Sequence, residues 1–146
     1  MKYIKFLFLF TIVATFASCF PDNDKTFDGA TVLEFKPILR TVRVTAAAGA
    51  ADGLIQLVGP QQSTAITIPY TVDPTSTAVP GTHYNITNTG TISIAANSSS
   101  TTLPIAIIPG SVAAGTSVRL IINLGDASGG IKPNPNFSRY TLTITP

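Results

Sequence analysis

An all-β protein, built as a single antiparallel sandwich of seven to eight strands behind a cleaved N-terminal signal and a short linker, is the fold this sequence predicts. Three observations carry the prediction. From Thr31 onward, apolar and polar residues alternate with a period of two, the spacing that turns one face of a strand to a core and the other to water. Glycine and proline number 11 each and cluster between the alternating runs, where they turn the chain. Charged residues make up only 11% of the sequence, and no segment keeps a helical apolar period over three turns.

The runs follow in order. VLEF at 32–35, VRV at 42–44 and LIQLV at 54–58 open the folded part. In AITIPYTV the residues Ile66, Ile68, Tyr70 and Val72 share one face. TISIA offers Ile92 and Ile94, and TTLPIAII offers Leu103, Ile105 and Ile107. TSVRLIINL turns Val118, Leu120, Ile122 and Leu124 inward, and RYTLTIT does the same with Tyr140, Leu142 and Ile144. Pro69 and Pro104 fall inside such runs. Each removes a ladder donor, so each marks an edge position or a bulge. Short strands with turn signals between them point to a sandwich of immunoglobulin-like type, with a closed barrel as the other arrangement.

The N-terminus follows different rules. Met1–Lys5 carries two lysines, and the apolar run FLFLFTIVATFAS ends in small residues at Ser18, the layout of a secretory signal. Thirteen residues are short for a bilayer span, which takes roughly 20. Cys19 is the only cysteine of the 146 residues, so an intramolecular disulfide is excluded. FASC at 16–19 resembles the bacterial lipobox, whose cysteine is acylated, with palmitate among the acyl groups, and becomes the new N-terminus. That resemblance implies a lipoprotein signal peptide at 1–18 and a membrane anchor at Cys19. An ordinary secretory signal with an incidental Cys19 is the plainer reading. The acids Asp22 and Asp24 follow directly and resemble the surface-export signal of lipoproteins in the Bacteroidetes; otherwise they belong to a solvated tether. Residues 19–30 read as a linker and 31–146 as the domain.

Within the domain, IPYTVDPTSTAVPGTHYNITNTGTISIAANSSSTTLPIAII resembles the Calx-beta pattern. Ala78, Gly81 and Tyr84 match its loop, Gly90–Thr91–Ile92 the following strand, Thr102–Ile107 the next, and TSVRLIINL the one after. The resemblance covers about the last half of the chain and implies an immunoglobulin-like fold. It departs from the calcium-binding members, because His83 stands where the loop often carries aspartate and Pro109–Gly110 replaces acids. A hard cation takes six to eight oxygens, so no metal and no cofactor is expected.

Catalysis finds no equipment either. His83 is the only histidine, and the chain after Cys19 holds one glutamate, Glu34, with aspartates scattered through turns. Neither a Ser-His-Asp arrangement nor a facing carboxylate pair is legible. Removing Lys2 and Lys5 from nine basic residues leaves seven, equal to the seven acidic ones. A neutral surface carries no footprint for nucleic acid.

Binding remains. Flat exposed aromatics stack on sugar rings, and the mature chain has no tryptophan. Tyr70 and Tyr140 fall on inward faces, and the Calx-beta resemblance implies that Tyr84 packs the turn, which leaves Phe137 in the loop KPNPNF as the aromatic best placed to meet a ligand, with packing as its ordinary role. The expectation is a non-enzymatic outer-membrane lipoprotein, anchored in the membrane and exposed at the cell surface. It acts as a binding or accessory module toward polysaccharide or other outer-membrane proteins, as in a glycan-uptake system. The alternative is a structural or adhesive component of a surface assembly held by strand addition.

Overall fold

The computed structural model describes residues 29–88 and 90–146. The expected signal segment 1–18, Cys19, Asp22, Asp24 and the expected linker up to residue 28 lie outside the described residues.

Eleven strands follow one another: β1 (Val32–Phe35), β2 (Leu39–Arg43), β3 (Gly53–Val58), β4 (Ile66–Val72), β5 (Tyr84–Ile86), β6 (Thr91–Ile94), β7 (Ser100–Leu103), β8 (Ile105–Ile107), β9 (Val118–Leu124), β10 (Lys132–Pro133) and β11 (Arg139–Thr145). They form a four-stranded sheet ordered β10-β1-β3-β7, a five-stranded sheet ordered β2-β11-β9-β4-β6, and a separate β5-β8 pair. The sandwich expected from the alternation is present. Most ladders are antiparallel, but β1 runs parallel to β10 and β2 parallel to β11.

Those two parallel ladders have one cause. The segment 32–43 starts in the four-stranded sheet as β1 and crosses through Lys36–Ile38 into the five-stranded sheet as β2. The segment 132–145 does the same beside it, as β10 and then β11. Pairing continues through the crossing, since Asn134 N–H donates to Leu33 O (2.8 Å), Phe35 N–H to Phe137 O (2.8 Å) and Thr141 N–H to Ile38 O (2.8 Å). Two neighbouring strands thus change sheets together.

The prolines divide the other runs. TTLPIAII is not one strand: β7 pairs with β3 and β8 with β5, on either side of Pro104. Ile105 N–H, the first donor after that proline, goes to Asp52 Oδ1 at 2.9 Å. At Pro69 the β4–β9 ladder stops one residue away, at the pair Tyr70–Leu124. Gly125 N–H still reaches Pro69 O (2.8 Å), a close approach in which a Cβ on Gly125 would stand 3.1 Å from the proline ring.

Between the sheets, Leu33, Ile55, Ile68, Ile94, Leu103, Leu120, Ile122, Tyr140, Leu142 and Ile144 are sealed from water. Each aliphatic chain of this kind contributes about 1.5–3 kcal/mol by leaving solvent. The rings of Phe35 and Tyr140 lie 5.3 Å apart at a 32° tilt, within the range of favourable aromatic pairs.

Two residues depart from the inward sets. Val72 is 40% exposed, because the β4–β6 ladder covers only Ile66–Pro69 and leaves the end of β4 uncovered on that side. Ile121 is buried although it faces away from Leu120 and Ile122. The loop after β4 lies against it: Asp73 N–H donates to Ile121 O at 2.9 Å, and Ser76 Oγ accepts from Ile121 N–H at 3.0 Å. Thr77 Oγ1 likewise accepts from Arg119 N–H at 2.8 Å. Two hydroxyls thereby stand in for strand carbonyls along β9.

Candidate functional site

Phe137 owes its position to the loop that carries it. Pro133 ends β10, and Asn134 then organises the turn: its carbonyl accepts from Phe137 N–H (2.9 Å), and its side-chain Oδ1 accepts from Asn136 N–H (3.1 Å), as asparagine does in turns. With Phe137 O taken by Phe35 N–H, the backbone is held on both sides. The ring is not buried by this arrangement and remains 41% exposed.

It stands over a cleft of about 370 Å³ lined by Glu34, Phe35, Lys36, Pro37, Ile38 and Phe137. The cleft is the crossing point of the two sheet-switching segments, so residues a hundred positions apart share one hollow. Its floor is apolar, from Phe35, which is buried, and Ile38, which is half-buried. Its rim bears a half-buried carboxylate, Glu34, and an exposed ammonium, Lys36. Neither has a salt-bridge partner among the described residues, where the ion pairs are Lys132–Asp126 and Arg139–Asp73, both at 3.5 Å. An open aromatic face with one acceptor and one donor beside it suits a neutral, hydroxyl-rich ligand.

Two other ionisable groups, Asp73 and His83, serve the fold. Asp73 is held by Thr75, whose hydroxyl and N–H donate to Oδ1 at 2.6 and 2.9 Å, and by Asn123 Nδ2–H at 3.0 Å. The Thr75 hydroxyl foremost, with its N–H, Asn123 and the Arg139 guanidinium, draws the carboxyl down to about 2. His83 Nδ1 accepts from Val79 N–H at 2.9 Å and so closes the turn that leads into β5. Tyr84 beside it is buried, as its place in the loop pattern implies. Among the described residues no three His, Cys, Asp or Glu side chains converge to hold a metal ion.

The sequence singled out Phe137 and missed its neighbours. Glu34, Lys36, Pro37 and Ile38 meet it only through the parallel pairing of β1 with β10, for which no local pattern exists. Cys19, Asp22 and Asp24 lie outside the described residues.

No protein-family model matches the chain, and no curated protein matches it in sequence. Solved structures match it by shape. The Apo-form Calx CBD1 domain superimposes with a TM-score of 0.63 at 19% identity, over 80% of this chain and 97% of that one. CBD12 from CALX1.2 gives 0.62 at 20% identity, over 77% of this chain and 42% of that one. A "putative carbohydrate binding protein" from Bacteroides ovatus ATCC 8483 gives 0.59 at 11% identity, over 78% of this chain and 36% of that one. This chain thus spans less than half the length of the last two. At such identities the likeness is one of fold, and the fold is Calx-beta-like over about four fifths of the chain rather than over its last half alone.

Proposed function

We propose that this chain is a non-enzymatic binding module, tethered to the bacterial outer membrane through acylated Cys19, that presents the Phe137 cleft to a polysaccharide. One observation carries the reading: Phe137 is held by its backbone yet 41% exposed, in a cleft also lined by Glu34 and Lys36, neither of which has an ion-pair partner among the described residues. An exposed aromatic face is free to stack on a flat apolar surface. A pyranose ring has the flat apolar face to do so, and its hydroxyls match Glu34 and Lys36.

Other observations support the same reading. The FASC stretch at 16–19 and its distance from Met1 supply the anchor. At about 0.8 kcal/mol per buried methylene, one acyl chain gives only reversible attachment, and two or more hold the protein in the membrane. Asp22 and Asp24 serve as the export address that brings the domain to the outer face. A structure of like fold is described as a carbohydrate binding protein, which makes polysaccharide the first ligand to test.

The full chain, purified in detergent and applied to a polysaccharide array, binds at least one glycan, and Phe137→Ala weakens that binding about tenfold by removing the stacking surface without moving the unfolding temperature. An array on which the wild type and the variant behave alike defeats the reading. The anchor is checked separately: mass spectrometry finds diacyl or triacyl modification on the peptide beginning at Cys19, and Cys19→Ala moves the protein out of the membrane fraction.

A further inference from the structure

The five-stranded sheet ends on one side at β2, beyond which no strand pairs among the described residues. Which backbone groups face outward follows from two hydrogen bonds. Thr141 N–H donates to Ile38 O and Val44 N–H donates to Thr145 O, both at 2.8 Å. In a parallel ladder alternate residues bond to the same neighbour, so Ile38, Arg40, Val42 and Val44 face β11, and Leu39, Thr41 and Arg43 face away. The N–H and C=O of Leu39 and Thr41 have no partner among the described residues. Of the outward groups, only Arg43 O is engaged, by Ala46 N–H at 2.9 Å.

Exposed edges invite pairing, and proteins usually blunt them with short strands, proline or charged side chains. The other edges of this fold are short or carry proline. β10 has two residues including Pro133, and β7 runs into Pro104. β6 has four residues and no charge. β2 is five residues long without proline, and its first side chain, Leu39, is 67% exposed. Beside it lies a shallow hollow of about 320 Å³ lined by Leu39, Arg40, Thr41, Thr141 and Thr143.

The charge along this edge has one sign. Lys36 precedes β2 and Arg43 ends it; both are exposed, and neither forms a salt bridge among the described residues. The Arg40 guanidinium turns inward to Asp52 O at 3.2 Å, and β2 itself contains no acidic residue. Like charges oppose a second copy of this cationic strand, whereas a strand bearing carboxylates gains from both ends of the edge. We propose that β2 is a docking edge for an acidic, extended segment of a partner protein. The segment adds to the five-stranded sheet through Leu39 and Thr41, places an apolar side chain against Leu39, and sets its carboxylates toward Lys36 and Arg43. The edge shares Lys36 with the Phe137 cleft but not the Phe137 ring, and the inference does not rest on glycan binding.

The test uses the full chain in detergent, with a synthetic peptide in which glutamate alternates with valine and a control peptide with lysine in place of glutamate. The acidic peptide is expected to bind, to slow hydrogen exchange at the Leu39 and Thr41 amides, and to weaken steeply with salt. The lysine peptide is expected not to bind. Thr41→Pro removes an outward N–H without touching the β11 ladder and is expected to weaken binding by about tenfold or more. Arg43→Glu, which alters no backbone donor, is expected to do the same and to admit the lysine peptide. Phe137→Ala is expected to leave peptide binding unchanged. Equal binding of the two peptides, or Thr41 and Arg43 variants that bind like wild type, overturns the proposal. So does protection of the Leu39 and Thr41 amides before any peptide is added, since the edge would then already be covered by a second copy or by this chain's own N-terminal segment.

Discussion

The Tyr140 hydroxyl donates a hydrogen bond to the Ala51 carbonyl at 2.9 Å, joining residues 89 positions apart in a site closed to water. Tyr140 belongs to β11 and Ala51 to the turn before β3, so this bond ties one sheet to the entry of the other. Tyr140→Phe keeps the ring against Phe35 but leaves a buried carbonyl without a donor, a loss of about 1–2 kcal/mol. Denaturant unfolding of the variant against wild type measures it.

The same hydroxyl makes stability depend on alkaline pH. Burial pushes Tyr140 from its ordinary value of 10.0 up to about 12. Because the folded value lies above the unfolded one, this contribution is complete below about pH 10 and is lost as pH rises through 12. Wild type is expected to lose stability across that window, and Tyr140→Phe to lose less. Equal alkaline limbs in the two proteins would show that another group controls the transition.

Asp73 acts at the opposite end of the scale. Its carboxyl falls from an ordinary 3.8 to about 2, so its contribution is present above about pH 4 and is lost as pH falls through 2. Asp73→Asn removes the titration, and its stability profile is expected to be flatter between pH 4 and 2. Urea melts in that interval check this.

Ser76 offers a test of the hydroxyls that line β9. Its Oγ accepts from Ile121 N–H, and Ile121 is 4% exposed, so water cannot readily take over in Ser76→Ala. The expected cost is about 1–3 kcal/mol, with faster hydrogen exchange at the Ile121 amide as its local signature.

Gly53 begins β3 beneath the aromatic pair. A Cβ there would stand 3.1 Å from Phe35 Cε1, so the ring, held against Tyr140, must give by a few tenths of an ångström. Gly53→Ala is expected to destabilise by about 1–3 kcal/mol, and Phe35→Leu to reduce that penalty when the two are combined. A double-mutant cycle read by thermal melting gives the coupling directly.

The strands that alternate over four or more residues were legible because period-two patterning is a local property. Ile68, Ile94, Leu120 and Ile144 are buried where the pattern put them. β5 and β10 were not, since three and two residues are too few to show a period, and both exist through partners supplied by other segments. The run at 101–108 read as one strand because its apolar residues keep phase through Pro104, although its halves belong to different ladders. At the candidate site, the exposure of Phe137 followed from its proline- and asparagine-rich loop. Its company did not, because Glu34 and Lys36 arrive through a parallel pairing that leaves no mark in either sequence segment.

The joint sheet switch of 32–43 and 132–145 also decides how the molecule would carry force. If the proposed anchor and ligand are correct, tension between the segment before Thr31 and a ligand at Phe137 would run lengthwise along β1, which is bonded to β3 on one side and β10 on the other. Those bonds lie across that direction and would be loaded in shear rather than unzipped singly.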